Sequence, residues 1–263
     1  MQDGYEPRRQ SSVFVVKLGG SIITYKDKAF TPRLSALERI ASELASIYEE
    51  SSLGIVLGGG SYGHYAALQQ RENETNAANA LYMVSSLMLE LSQLVVDVLA
   101  LHGIPALIYP PHALCSPKGL RPNCYWEQAR NAISIGAVPV TYGDIYPCSS
   151  DKGWCIVSGD ELAMEMACSL GARKVVYASD VDGILDDRGN VVKEISLSEL
   201  YGSRILASES SHVDVTGGLR RKLDSIRENW CSGLQEVWIV NGLREGRIIG
   251  AIKGLGYGTL IKP

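Results

Sequence analysis

Glycines flanked by lysines and acids are the residues of this chain best suited to chemistry. Lys17-Leu18-Gly19-Gly20-Ser21 ends the first β-branched run. Two glycines leave backbone N–H groups unshielded, and with a lysine beside it such a turn can wrap phosphate oxygens. The plainer reading is a tight turn with a snorkelling lysine. Gly58-Gly59-Gly60-Ser61-Tyr62-Gly63-His64 forms a second cluster, and Gly58, Gly60 and Gly63 satisfy G-x-G-x-x-G, the dinucleotide fingerprint. The ribose-binding acid of that motif should follow about 20 residues on. Glu72 and Glu74 come sooner, with no strand run before them. What survives is general: a glycine-rich turn at a helix N-terminus attracts an anion, to which His64 can add a hydrogen bond.

Three further clusters follow. Ser158-Gly159-Asp160-Glu161 reads first as a helix cap. Ser179-Asp180-Val181-Asp182-Gly183 reads as an Asp-rich turn after a strand. Thr216-Gly217-Gly218 leads into Arg220, Arg221 and Lys222. Positive charge at a helix N-terminus opposes the helix dipole, and a bound anion would remove that conflict. No Walker A string, protein-kinase set, G-x-S-x-G elbow or H-E-x-x-H occurs.

The elements that must carry these clusters alternate. Val13–Leu18, residues 54–57 and 106–109, Val138–Tyr142, Lys174–Ser179 and residues 237–240 read as strands. Thr31-Pro32 reads as an N-cap with proline at the first helical position. Leu34, Leu37, Ile40, Leu44 and Ile47 then recur at helical spacing. Ala77–Leu101 reads as a long helix packed on both sides, and residues 161–170 as a helix capped by Ser158 or Asp160 and stopped by Gly171. Leu219, Leu223, Ile226 and Trp230 mark another. Strand–helix alternation implies an α/β fold with a mainly parallel central sheet. Residues 208–212 read as a loop.

The chain has 263 residues, 46% of them apolar, with a net charge of −4, which argues against a nucleic-acid binder. Residues 1–10 lack the apolar core of a secretory signal. The most apolar stretch, 94–110, is broken by Asp97, His102 and Gly103, so no membrane span is expected. Six cysteines form no Cys-x-x-Cys and no zinc-spaced set. They read as thiols in a reducing, cytoplasmic compartment.

In order and strand-end placement, Lys-Leu-Gly-Gly-Ser, Gly-Gly-Gly, Ser-Gly-Asp, Ser-Asp-Val-Asp-Gly and Thr-Gly-Gly-x-x-x-Lys resemble the amino acid kinase superfamily over residues 13–242. Gly258-Thr259-Leu260-Ile261 is similar to that family's last strand. Gly-Gly-Gly-Ser-Tyr-Gly-His, Val-Asp-Val-Thr-Gly-Gly at 213–218 and Tyr142-Gly143-Asp144 resemble the archaeal isopentenyl phosphate kinases. Leu57, Tyr62 and Tyr25 depart from the residues usual there, and Lys28 competes with Lys26 for one role.

The resemblance implies a single α/β/α sandwich domain, with acceptor over the N-terminal half and nucleotide over residues 150–263. It implies ATP-dependent phosphorylation of isopentenyl phosphate, with Mg²⁺ travelling with ATP, in a cytoplasmic homodimer. Lys17, Gly19, Gly20, Ser21, Gly60, Asp180, Gly218 and Lys222 would hold ATP. Gly59, His64 and Gly159 would hold the acceptor phosphate. Lys17, Lys26, His64, Asp160 and Lys222 would form the catalytic set, with Asp160 positioning both Lys17 and Lys222. No dedicated protein metal ligand is implied. Leu81, Tyr82, Met83, Val84, Leu87 and Met88 would line the tail pocket or simply pack the core. A same-fold kinase for another small phosphate or phosphonate, a non-catalytic nucleotide or oxyanion binder, and a dinucleotide-binding oxidoreductase stay open beside this reading.

Overall fold

The computed structural model describes residues 12–63, 76–118, 121–200 and 218–263. His64, Glu72, Glu74, Thr216, Gly217, the predicted loop at 208–212 and residues 1–10 lie outside them. Among the described residues there are twelve strands: β1 Val13–Leu18, β2 Ser52–Leu57, β3 Ala106–Ile108, β4 Cys115–Lys118, β5 Arg121–Cys124, β6 Val138–Tyr142, β7 Asp144–Pro147, β8 Trp154–Val157, β9 Lys174–Ser179, β10 Glu194–Ser196, β11 Glu236–Asn241 and β12 Thr259–Lys262. The helices used below are α1 Gly20–Ile23, α2 Leu34–Tyr48, α3 Ala77–Leu101, α4 Pro111–Leu114, α5 Glu127–Ser134, α6 Gly159–Leu170, α7 Gly218–Glu228 and α8 Arg247–Ile252.

Eight strands form one sheet in the order β10-β12-β11-β9-β1-β2-β6-β3. From β11 to β3 the neighbours are parallel, and β12 reverses against β11. A sheet covered on both faces needs strands that are apolar at every position. In β1, Val15 joins the core beneath α6 and α7, while Val16 and Leu18 join the core beneath α2 and α3. The same alternation puts Lys17 on the Val15 face. Tyr177 lies beside it in register on β9 and belongs to that core as well.

Each element forms for a local reason. Ser158 caps α6 with a full capping box, its hydroxyl accepting from Glu161 N at 3.1 Å, and Gly171 ends the helix at φ +66°. α2 starts at Leu34 with Arg33 as its cap, not at Pro32 as the Thr31-Pro32 signal predicts. Pro32 is instead bridged antiparallel to Thr24, and the Arg33 guanidinium lies over the Tyr25 ring at 4.0 Å. Those contacts hold the chain extended two residues further.

α3 is long and apolar enough by composition to cross a membrane. Here it buries Val84, Met88, Leu91, Val95 and Leu99 along one face. Tyr82 and Leu101 stand in solvent, so the helix is not packed on both sides as its composition predicts.

The expectation of free thiols is overturned. Cys115–Cys124 joins β4 to β5, Cys148–Cys155 joins β7 to β8, and Cys168–Cys231 ties the end of α6 to the chain beyond α7. Separations of 9, 7 and 63 residues match no spacing motif. Strand and helix pairing brings the partners together, and cysteine spacing does not encode that pairing.

Candidate active site

Four of the clusters, at Gly19–Gly20, Gly58–Gly60, Gly159 and Ser179, meet at the carboxyl ends of the parallel strands, where open α/β sheets place their ligands. Hydrogen bonds lace these ends together. Gly19 N donates to Ala178 O at 2.7 Å, Gly58 N to Leu18 O at 2.8 Å, Gly143 N to Leu57 O at 3.0 Å and Gly242 N to Ser179 O at 2.8 Å. The Gly19 amide is therefore committed to the sheet. The amides of Gly20 and Ser21, first in α1, have no intrahelical partner by geometry and are the better phosphate donors.

The glycines also serve packing. A Cβ on Gly20 would overlap the backbone of Gly60, and one on Gly60, at φ +50°, would overlap the Thr24 side chain. Thr24 Oγ1 donates to Gly20 O at 2.8 Å and accepts from Ser61 N at 2.9 Å, pinning the two turns together. Thr24 carries no sequence signal; only the contact identifies it.

Asp160, at the second position of α6, sits between two lysines from other elements. Lys17 Nζ lies 2.9 Å from its Oδ1 and Lys222 Nζ 3.8 Å from the same atom. The nearer contact is a buried ion pair at hydrogen-bonding distance. Both lysines are largely buried, and the cluster carries one excess positive charge. Burial pushes the Asp160 carboxyl up, but Lys17 and Lys222 outweigh it and hold the group below the usual carboxylate range. Burial, with Lys17 adding to it against Asp160 and Asp180, pulls Lys222 down to about 8. The Lys222 ammonium lies 5.5 Å from the Tyr177 ring centroid, and Tyr177 Oη donates to Asp160 O at 2.9 Å. Tyr177 thus touches both Asp160 and Lys222, a contact that the motifs do not reveal.

Lys26 Nζ binds Asp180 Oδ2 at 2.8 Å. Lys28 instead lies over the Tyr25 ring at 5.5 Å, so the geometry favours Lys26 at the site. The Lys26 side chain is 57% exposed. An exposed pair is worth only about 0–1 kcal/mol, so a phosphate can displace Asp180 at little cost. Burial raises the Asp180 carboxyl, but Lys26 outweighs it and leaves the group below its ordinary value, helped by the Ser21 hydroxyl. Ser179 Oγ, at the end of β9, is buried with no hydrogen-bond partner among the described residues, another polar atom at this rim.

On the other side, Gly159 opens α6 beside Gly143. A Cβ on Gly143 would stand 2.9 Å from Gly159 N. Gly59 faces α3, where Met88 Sδ lies 3.5 Å from the position of its missing Cβ. Gly218 begins α7 one turn before Lys222. Lys17, Asp160 and Lys222 thus converge, as do Lys26 and Asp180, and the turns of Gly19–Gly20 and Gly58–Gly60 touch. His64 follows the described turn at Gly63 but is itself outside the described residues.

The profile of the amino acid kinase family matches residues 12–241. The chain is 30% identical to isopentenyl phosphate kinase of Methanocaldococcus jannaschii over 94% of this chain and 97% of that protein. It is 31% identical to the enzyme of the same name from Methanothermobacter thermautotrophicus over 92% and 96%. The solved product complex of T. acidophilum isopentenyl phosphate kinase superposes with a TM-score of 0.74 at 27% identity, covering 95% of this chain and all of that one. A motif set in family order, a fold that superposes over 95% of the chain and a buried Lys–Asp–Lys cluster at the carboxyl edge of its sheet agree: the chain belongs to the amino acid kinase family, among its isopentenyl phosphate kinases.

Proposed function

We propose that this protein transfers the γ-phosphoryl group of ATP to isopentenyl phosphate, giving isopentenyl diphosphate and ADP. The observation that carries the reading is Asp160 holding Lys17 and Lys222 on one oxygen at the glycine-lined strand ends. The family assignment supports the acceptor.

A phosphate monoester has its second pKa near 6, so the acceptor is largely a dianion at neutral pH and needs no general base. One of its oxygens forms the bond to the γ-phosphorus as the bond from that phosphorus to the β–γ bridging oxygen breaks. The obstacle is repulsion between anions, and catalysis is mainly positioning and neutralisation. Lys17 and Lys222 would neutralise the nucleotide phosphates, and the amides of Gly20 and Ser21 would orient them. Gly60, Gly218 and Asp180 would complete that side. Lys26 would leave Asp180 for the transferring group. Gly59, Gly159 and His64 would hold the acceptor phosphate. The single excess positive charge of the buried cluster fits a polyanion, and Asp180, its carboxylate ionised, fits the bound cation. Mg²⁺ would travel with ATP and supply further charge neutralisation, with Asp180 the side chain that would face it.

A homodimer acting on small molecules, with no nucleic acid or membrane partner, completes the proposal; the net charge of −4 supports the second part. A cytoplasmic setting that also preserves three disulfides fits the disulfide-rich interior of hyperthermophiles rather than an ordinary reducing cytosol.

The test is incubation of purified protein with ATP, Mg²⁺ and isopentenyl phosphate, with product read by mass spectrometry. Isopentenyl diphosphate formed at about 1 s⁻¹ or faster supports the reading. No diphosphate, with ATP still bound, overturns the acceptor.

A further inference from the structure

A buried carboxylate outside the phosphate site is left unused by this mechanism. The Asp144 side chain is fully buried. His112 Nδ1, on α4, lies 2.8 Å from its Oδ2. Ser85 Oγ, on α3, donates to Oδ1 at 3.1 Å, and Ile145 N donates to the same atom at 2.8 Å. A buried carboxylate is costly unless its lone pairs are satisfied. Here that requirement draws α3, α4 and the start of β7 onto one group.

The position of the group gives it meaning. Asp144 follows Gly143, which bonds Leu57 O beside the second glycine turn and abuts Gly159 N at the start of α6. Across the β7–β8 pair Asp144 faces Val157, next to the Ser158 cap. Gly143–Asp144 therefore joins the two turns assigned to the acceptor phosphate. Ser85 stands one turn from Met88 on α3, on the same helix face. Met88 Sδ in turn lies 3.5 and 3.7 Å from where a Cβ on Gly59 and on Gly63 would stand. The Asp144 carboxylate thus ties the phosphate cradle to the helix wall that the acceptor's tail would meet.

We propose that Asp144, with His112 and Ser85, is a positioning residue that fixes the spacing between the phosphate cradle and α3, and so sets the tail length the site accepts. This rests on the proposed acceptor. The clamp touches neither transferring phosphate, so its loosening moves the acceptor terms and spares ATP. A one-carbon difference in an apolar pocket already changes discrimination by about 10-fold or more. A wall free to shift loses discrimination of at least that size.

The experiment measures kcat and KM for isopentenyl phosphate and for a ten-carbon prenyl monophosphate. Wild type is compared with Asp144→Asn, Ser85→Ala and His112→Phe, with KM for ATP measured alongside. In Asp144→Asn the five-carbon over ten-carbon kcat/KM ratio should fall about tenfold, through the acceptor KM, with KM for ATP unchanged. Ser85→Ala and His112→Phe should shift the ratio the same way by less, and they decide the matter if Asp144→Asn does not fold. Tyr142→Phe, a neighbouring substitution that deletes a buried hydroxyl with no partner among the described residues, should leave the ratio unchanged. A lower melting temperature with an unaltered ratio, or equal losses on both acceptors, overturns the clamp alone. Wild-type protein that phosphorylates neither acceptor overturns the functional reading and this inference with it.

Discussion

Nucleotide binding should take up a proton through Lys222. This ammonium is buried beside Lys17, and its pKa falls from the ordinary 10.5 to about 8. The fall corresponds to about 3 kcal/mol at 1.36 kcal/mol per pH unit. Bound phosphates supply the negative charge that Asp160 alone does not, so the pKa climbs back on binding. At pH 8 about half of the free protein lacks this proton; at pH 7 about a tenth does, and at pH 9 about nine-tenths. Uptake per nucleotide should follow those fractions, and affinity should fall about tenfold per pH unit above 8. ATP is fully ionised in that range, which isolates the lysine. Titration calorimetry in two buffers of different ionisation enthalpy reads the uptake directly, with Lys222→Met as the control. The stability consequence has a definite sign. Below pH 8 the ammonium is charged in the folded and the unfolded chain, and its burial is a cost. Between pH 8 and 10.5 the unfolded chain binds the proton that the folded one has lost, so Lys222 makes stability rise with pH. Binding enthalpies identical in both buffers at pH 8 and 9, or an uptake that persists in Lys222→Met, would refute the reasoning.

Lys26→Ala should lower kcat by about 10²–10³ while Lys28→Ala changes it little, since only Lys26 reaches Asp180; equal effects in steady-state assays would count against the assignment. Gly20→Ala forces a methyl into the Gly60 backbone, so it should cost several-fold or more in kcat/KM for ATP and lower the denaturant midpoint; wild-type values for both would show that the turns separate freely. Protein purified without reductant should show no reactive thiol under denaturing alkylation, because each cysteine has a partner. Removing Cys168–Cys231, which closes 63 residues, should cost about 4 kcal/mol by loop-closure entropy, against about 2.5 kcal/mol for either hairpin bond; denaturant melts of the three paired Cys→Ala variants rank them.

Local signals carried much of the architecture. The strands Val13–Leu18, Val138–Tyr142 and Lys174–Ser179 end where the apolar runs end, because a strand covered on both faces must be apolar throughout. Ser158 and Gly171 bound α6 because capping is a matter of a few neighbouring atoms. The five glycine clusters, read in order, named the family, since each lies within a short stretch of chain. α2 starts later than the Thr31-Pro32 signal indicates because Pro32 answers to a bridge with Thr24 and Arg33 to the Tyr25 ring.

What only the tertiary structure decided are relations between distant residues. The sequence by itself supplied six cysteines, yet their pairing followed from two hairpins and a helix pair that carry no local signature. It supplied Lys26 with Lys28 as a competitor, and the contacts of each with Asp180 and Tyr25 separated them. It offered Asp144 as one acid in a familiar string, and folding brought His112 and Ser85 to it from two helices. Backbone conformation is set by neighbours along the chain, whereas charge, burial and hydrogen-bond partnership are set by neighbours in space. For that reason the elements and the glycine turns could be read from the residues in order, while the ionisation of Lys222 and the clamp at Asp144 could not.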